Sequence, residues 1–588
     1  MEHRYIALLD DVGDGTADAF AAASRALARM GLQCVVTAPP LRIFAEPTTT
    51  LRRISADAWV IGHLFPKYPS TPDTPPAALA GASLLDHLLA HYWGDYLLIE
   101  VMRGTPGAAR ILRSPSGGVA CLHAIDNGQG FITSDIAVAT NAGLCDRHID
   151  WDYIVQALNF TRLQTPRTGL AGVSELLPGC ALHVAANGAR PSPAWSPWDH
   201  VSTPVRFRDP TEAAHSVRDA VSATVEAWAT LDRRLLLELS GGLDSSIVGA
   251  CLSKTEAHVT CCNLTSPHSG TDERQYARLI SDQLGTRLHT LTVHADAARI
   301  EFAPPADAAT PGMGISQQVV DAALFQAALD HTPTSFISGA GGDTVFCYLG
   351  NASPAADAFR ERGIASGLRT VGDLSTLYDC PLPKAARLTA RKLLRGPRPT
   401  RPADHTYLAQ SAALPPDLPH PWLNAPDSAY IGDVERIGAL VGTQGYLGGM
   451  TRNRRWPMRY PLLSQLVVET CLRVPTWMWI RTGRNRAIAR DAFADLLPHD
   501  ILHRRSKGTY VTLAGALYAG HKHTMLAFLE SGHLGAHGLL DIDALRTTIQ
   551  SDTPAKDTSF FRIFDLCMIE NWIRYQGRFS ANLGAAAF

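Results

Sequence analysis

No apolar run in this 588-residue chain reaches the roughly 18 residues that a membrane-spanning helix needs, so no membrane span is expected. No excess of charge exists either. Lys and Arg number 53 against 55 Asp and Glu, a formal net charge of −2. The chain therefore lacks the basic field that holds a long nucleic acid by counterion release, which argues against a nucleic-acid partner. The 11 cysteines include no C-x-x-C pair, so neither structural zinc nor a disulfide framework is expected. Cys261 and Cys262, adjacent in an apolar run, read as buried thiols. The opening "MEHRYIALLDDVGDG" lacks the basic stretch and long apolar core of a secretory signal. The expectation is a reduced, cytoplasmic protein. No internal repeat is found.

What is present is a globular composition, 46% hydrophobic and 18% charged, long enough for two or more cores. To about residue 200 the texture is β-rich. Short apolar runs at 5–10, 33–38, 58–65, 96–101, 109–114, 119–125 and 130–135 stand between turn residues, with one helical stretch at 84–95. The polar, proline-bearing patch at 186–200 reads as a boundary. From residue 211 strands and helices alternate, which predicts a parallel sheet with helices on its faces. The last third reads as mostly helical, interrupted by proline-rich stretches at 396–402 and 414–426.

The stretch "LSGGLDSS" (239–246) follows a leucine strand and precedes an apolar helix. Ligands of open parallel sheets bind at such strand ends. Gly241 and Gly242 clear the approach path, and the loop N–H groups with the helix N-terminus form an anion nest. Ser240, Ser245 and Ser246 add hydroxyl donors. Asp244 would repel phosphate unless a cation stood between, so it predicts Mg²⁺ on the phosphate oxygens. No lysine stands beside the glycines, which excludes the loop of γ-phosphate-cleaving enzymes. As a bare strand–helix turn the loop would need only a capping serine; the six-residue S-G-G-x-D-S match favours a site.

The loop resembles the pyrophosphate loop of N-type ATP pyrophosphatases, which activate a carboxyl as an adenylate. On that resemblance Leu239, Ser240, Gly241, Gly242, Asp244, Ser245 and Ser246 face ATP. Three further stretches resemble the asparagine synthetase superfamily. The segment 263–291 places Asp272 and Glu273 near the nucleotide. "FISGAGGDTVFCYLG" (336–350) resembles its S-G-x-G-x-D segment, with Gly339 and Gly341 toward the nucleotide. Asp343 there joins Asp244 as a second Mg²⁺ ligand. The stretch 459–510 resembles the C-terminal signature ending in R-x-x-K-G. Lys507 then matches the lysine assigned to the adenylation transition state and the departing pyrophosphate, with Arg504 and Arg505 beside it. Arg484 and Arg486 are left open between helpers and surface charges. The implied fold is α/β. A class II glutaminase-like domain (1–200, Ntn-type αββα) precedes a pyrophosphate-loop, parallel-sheet synthetase domain (205–588), adenine nucleotide α-hydrolase-like, with a helical C-terminal part.

Two departures narrow the reading. Glutaminase domains of that class use an N-terminal cysteine as nucleophile; here residue 2 is Glu2 and the first cysteine is Cys34. Where asparagine synthetases carry glutamate and β-lactam synthetases tyrosine, the "SGAGGD" segment has Ala340. Together with "GRNRAIAR" and "RRSKGTY", these features resemble lasso peptide macrolactam synthetases. The resemblance implies ATP and Mg²⁺ as cofactors, a ribosomal precursor peptide as substrate and a transglutaminase-like leader peptidase as partner. The alternatives are an amidotransferase using free ammonia, a β-lactam-type cyclase, an RNA-modifying enzyme and a peptide-binding scaffold without chemistry. The basic run 383–401 is read either as a solvated helix with linker or as a docking face for an acidic segment.

Overall fold

The computed structural model describes residues 2–9, 17–76, 83–102, 108–267, 272–398, 402–413, 420–445, 449–504, 511–551 and 559–585, without the side chains of 17–20 and 578–585. The N-terminal part holds two six-stranded antiparallel sheets. One runs Ser174–Glu175, Leu122–Asp126, Gln129–Thr133, Tyr5–Leu9, Leu41–Ala45, Gln33–Ala38; the other runs Gly188–Pro193, Cys180–Ala185, Ala109–Arg113, Tyr96–Val101, Ala58–Gly62, Leu51–Arg53. Side chains alternate between two apolar layers. Tyr5, Ala7 and Leu9 meet Leu97, Ile99 and Ile111 between the sheets. Ile6 and Leu8 point outward under Ile154, Leu158 and the late residues Ile563 and Trp572. On the other side Tyr96 and Leu98 lie under Leu85, Leu88, Val217 and Val221. Both faces of both sheets are thus covered, giving helix, sheet, sheet, helix. That is why these strands read as continuous apolar runs.

The helix Pro210–Leu231 links the two parts. Asp209 caps it by accepting from the N–H groups of Thr211 and Glu212, both at 2.9 Å, and Pro210 starts it. Its buried face serves the second sheet and also Leu235 and Leu237 of the next strand. That strand, Arg234–Glu238, is the middle of a five-stranded parallel sheet. The order is Leu288–Thr292, His258–Thr265, Arg234–Glu238, Ser335–Ser338, Met458–Arg459. The expected mixed α/β chain with a parallel sheet is therefore what forms.

Local boundaries depart from the sequence expectation in two places. The helix at 84–95 stops at His91, because Tyr92–Trp93 pairs with Phe65–Pro66 as a short ladder. The patch at 186–200 is not a bare boundary: Gly188–Pro193 is an edge strand paired with Cys180–Ala185. Edge strands tolerate proline, which hid this one. Cys261 and Cys262 are buried, and burial pushes both thiols up to about 12.

Candidate active site

The sheet order reverses at Arg234–Glu238, and the loops after this strand and after Ser335–Ser338 leave side by side. Glu238 is in register with Ser338. A crevice at such a reversal is where open α/β sheets bind ligands. It is a cavity of about 390 Å³ here, lined among others by Ser240, Asp244, Ser245, Ala340, Asp343 and Arg486.

Glycines bring the two loops into contact. A Cβ on Gly339 would lie 2.5 Å from the Ser245 nitrogen, and one on Gly342 would lie 2.4 Å from Cβ of Asp244. Gly341 has a left-handed backbone (φ +87°) and backs onto Leu463. No side chain larger than hydrogen leaves room at these positions. Gly241 (φ +78°) makes the first turn and packs against the Glu273 carbonyl. Within the loop the Ser240 hydroxyl meets that of Ser245 at 3.0 Å and accepts from the Gly242 N–H at 3.2 Å. The helix Leu243–Leu252 starts at Gly242 without a side-chain cap. Its first residues, Gly242 to Ser245, line the crevice, where a helix N-terminus leaves unpaired N–H groups for an anion.

Leu239, Ser240, Gly242, Asp244, Ser245, Gly339, Gly341 and Asp343 all line the cavity. Ser246 does not. Its side chain is fully buried, and its N–H bonds the Gly242 carbonyl at 3.1 Å. One residue of helical rotation past Ser245 turns it away from the cavity wall, and its buried hydroxyl has no hydrogen-bond partner among the described residues. Gly241 contributes its carbonyl to Arg504 at 3.0 Å rather than to the cavity wall. Asp272 is exposed and paired with Arg274 at 2.6 Å, while Glu273 pairs with Arg504. Lys507 and Arg505 lie outside the described residues.

The most informative side chain is one the sequence left open. Arg486 reaches between the two loop carboxylates: its Nη1 donates to both oxygens of Asp244 at 3.2 Å and to Asp343 Oδ1 at 2.9 Å. Asp244 and Asp343 thus converge on one cation, as a shared ion would require. Two hard carboxylate oxygens around one positive charge also fit a divalent ion such as Mg²⁺. Arg490, one turn on, donates to the carbonyls of Asn485 and Leu502. Burial, with Arg486 and Arg484 nearby, pushes Arg490 down to about 10, so it stays charged at neutral pH. Arg504 stacks on the Tyr276 ring at 4.1 Å. Arg486, Arg490 and Arg504 thus share the crevice wall with the glycine-rich loop, the first and last of them paired with carboxylates. Arg486 precedes the short helix Ala487–Ala492 in a left-handed conformation (φ +50°), and Arg490 lies within that helix. Also unread was Arg452, which donates to Glu238 at 2.6 Å and to Asp321 at 2.9 Å and braces the cavity floor.

A second cavity, of about 320 Å³, lies where the N-terminal sheets meet the synthetase-like part. Glu2 and His3 line it, and no cysteine does among the described residues. Glu2 is held by Arg459 through two bonds of 2.6 Å and by His63 at 2.7 Å. Although burial opposes ionisation, these partners hold its carboxyl well below the usual range. Arg459 also donates to Asp232 at 2.7 Å, so Glu2 is tied to the edge of the parallel sheet. Glu2, His3 and His63 stand close enough to ligate a metal, but Arg459 already neutralises the only carboxylate of the three.

A search of curated proteins gave no match. Among solved structures, the NMN synthetase from Francisella tularensis is 14% identical with a TM-score of 0.18, over 24% of this chain and 60% of that one. The chain thus spans less than two thirds of that protein. The glutamine PRPP amidotransferase from B. subtilis, complexed with ADP and GMP, is 9% identical with a TM-score of 0.21, over 49% of this chain and 65% of that one. Similarity at that level carries no weight for mechanism. The family comparison does: residues 216–574 match the asparagine synthase model, more than half of the sequence and all of the crevice described above. This chain belongs to the asparagine synthase family.

Proposed function

We propose that this protein is an ATP-dependent, AMP-forming ligase that closes a macrolactam ring on a ribosomally made peptide. An N-terminal glutaminase-like domain (1–200) lacking its nucleophile precedes the ligase domain (205–588). The observation that carries the reading is Ala340. It lines the crevice beside Asp343 and offers no proton acceptor, where an ammonia-using or β-lactam-forming relative would present a glutamate or tyrosine. The second cavity agrees, since Glu2 stands there bound to Arg459 and no cysteine lines it among the described residues. Without ammonia generation, the amine arrives on the substrate.

The chemistry then follows from the crevice. The loop N–H groups with Ser240 and Ser245 hold the β- and γ-phosphates of ATP. Asp244 and Asp343 would hold Mg²⁺, which neutralises charge on the phosphate oxygens. An Asp or Glu side chain of the peptide attacks the α-phosphorus, and pyrophosphate leaves among Arg486, Arg490, Arg504 and Lys507. The peptide's own α-amine attacks the acyl carbon, the C–O bond to AMP breaks, and one water equivalent is lost overall. An amine tethered to its target gains effective molarity, which lowers the need for a dedicated base. A transglutaminase-like peptidase would free that amine.

The test is a peptide with a free N-terminus and an Asp or Glu several residues in. It should lose one water with AMP formed in step. Acetylating its N-terminus should stop closure while hydroxylamine still traps the activated carboxyl. Conversion of free aspartate and ammonium to asparagine, with such peptides left linear even when the peptidase is present, would replace this reading with an ammonia-using amidotransferase.

A further inference from the structure

Exposed apolar side chains are unevenly spread over this molecule. Of fifteen large ones exposed among the described residues, seven fall between positions 348 and 394: Tyr348, Ile364, Leu368, Tyr378, Leu382, Leu388 and Leu394. They sit on and around two neighbouring helices, Ile364–Leu377 and Leu382–Arg395. Leu394 is 87% exposed and Ile364 73%. Scattered single leucines need no explanation, but a concentration on adjacent helices marks an interaction surface.

The second of these helices is charged with one sign, while Asp373 on the first and the exposed Asp379 between them are the acids nearby. The helix Leu382–Arg395 contains no Asp or Glu. Its core side is set by Ala385, Thr389 and Lys392, the last paired with Glu435. Lys384, Arg387, Arg391 and Arg395 follow at spacings of three, four and four, which places all four on one exposed flank. None of the four has an ion-pair partner among the described residues. Leu388 and Leu394 border the stripe. Like charges at helical neighbour positions cost a few tenths of a kcal/mol per pair. Four cations in a row, unpaired among the described residues, offer a complement to a ligand of opposite charge. Arg360, Arg362 and Arg369 extend the basic character on the helices beside it.

From this juxtaposition we propose that the Ile364–Leu377 and Leu382–Arg395 helices form a docking surface for an acidic amphipathic peptide segment, carboxylates on the arginine stripe and apolar side chains on Leu388 and Leu394. The surface does not depend on the reaction proposed above. It does back onto the crevice. The Gly483 N–H bonds Asp373 of the first helix at 3.0 Å, and three residues later the same turn delivers Arg486 to Asp244 and Asp343. An occupant here would be held next to the element that carries the central cation.

The experiment uses the full chain and a short fluorescein-labelled synthetic peptide with Glu and Leu at helical spacing, read by fluorescence anisotropy. Saturable binding at about 0.1 M salt is expected, weakening at higher salt. Arg387→Glu with Arg391→Glu should weaken it by about tenfold or more. Leu388→Ser with Leu394→Ser should weaken it severalfold. All four side chains are exposed, so circular dichroism should stay unchanged. Several results would overturn the proposal. They are no binding of the Glu/Leu peptide, equal binding of a Lys/Leu control and indifference to the leucine substitutions. So would preferential capture of phosphatidylglycerol vesicles, or a dimer in sedimentation velocity that the same variants dissolve.

Discussion

Gly342→Ala perturbs the crevice by a single methyl group. That methyl would sit 2.4 Å from Cβ and Cγ of Asp244 and 2.8 Å from its Oδ1. Carbon atoms in contact stand at about 3.5 Å, so the two loops must part by about 1 Å. The backbone raises no objection, because Gly342 is absent from the left-handed positions and begins the short helix Gly342–Val345. Alanine is the better residue there by up to ~1 kcal/mol. The strain therefore falls on Asp244 and on its alignment with Asp343 and Arg486. A 1 Å misplacement of reacting groups costs about a hundredfold in rate, or about 2.7 kcal/mol. The control is Gly515→Ala, inside the helix Val511–Glu530 with nothing within 4 Å of the new methyl. It should be fully active and stabilised by ~0.5–1 kcal/mol. Three measurements decide the matter: AMP formation with the peptide substrate, ATP affinity by calorimetry, and the melting curve. Calorimetry keeps the result meaningful even if the wrong peptide was chosen. A Gly342→Ala enzyme with an unchanged melt, wild-type ATP affinity and a wild-type rate would show that loop contact does not position Asp244, and the reasoning fails.

Lys507→Ala should lower kcat about a hundredfold while raising the apparent KM for ATP far less, as expected of a charge that matters most in the transition state; a change confined to KM would remove it from that role. Incubation with glutamine should yield no glutamate above the blank, since Glu2 rather than a thiol faces the second cavity; a measurable rate would reveal another nucleophile. Burial holds His3, His123 and His420 down at about 4, well below 6.5. The unfolded chain therefore takes up protons first, and stability complete above about pH 6.5 is lost as pH falls toward 4. Each of these histidines contributes a loss of ~2 kcal/mol between pH 7 and pH 5. Urea midpoints should fall across that interval, and His123→Leu should flatten the dependence; an unchanged slope in that variant would mean His123 is protonated in the fold.

The crevice was legible because its parts are backbone devices. Two glycine-rich loops after apolar strands announce a nest and a close approach whatever surrounds them, and Asp244 and Asp343 sit at their ends. Arg486 was not legible, because a charged residue in a polar run looks the same whether it faces solvent or two carboxylates. Only the chain's return, about 240 residues after Asp244, decides that. Ser246, adjacent to Ser245 in the motif, lies off the cavity wall because helical rotation separates neighbours by about 100°. The strand Gly188–Pro193 escaped because its prolines mark an edge and a linker alike. The fifth parallel strand, Met458–Arg459, has two residues and no periodicity to detect.

The outer apolar layer of the first antiparallel sheet joins the two ends of the chain. Ile154 and Leu158 are covered by Ile563, Phe564 and Trp572. Gly169 lies against the Trp572 indole, where an added Cβ would come within 2.5 Å of the ring. During synthesis the first of these residues leaves the ribosome some four hundred residues before the last. At about 5–20 residues per second, that face waits roughly 20–80 seconds for its cover. For that interval the nascent chain presents a finished sheet with an open greasy side, a natural client for a holdase and a natural seed for misassembly. A chain ending before residue 560 would lack Ile563, Phe564 and Trp572 and so leave part of that face uncovered.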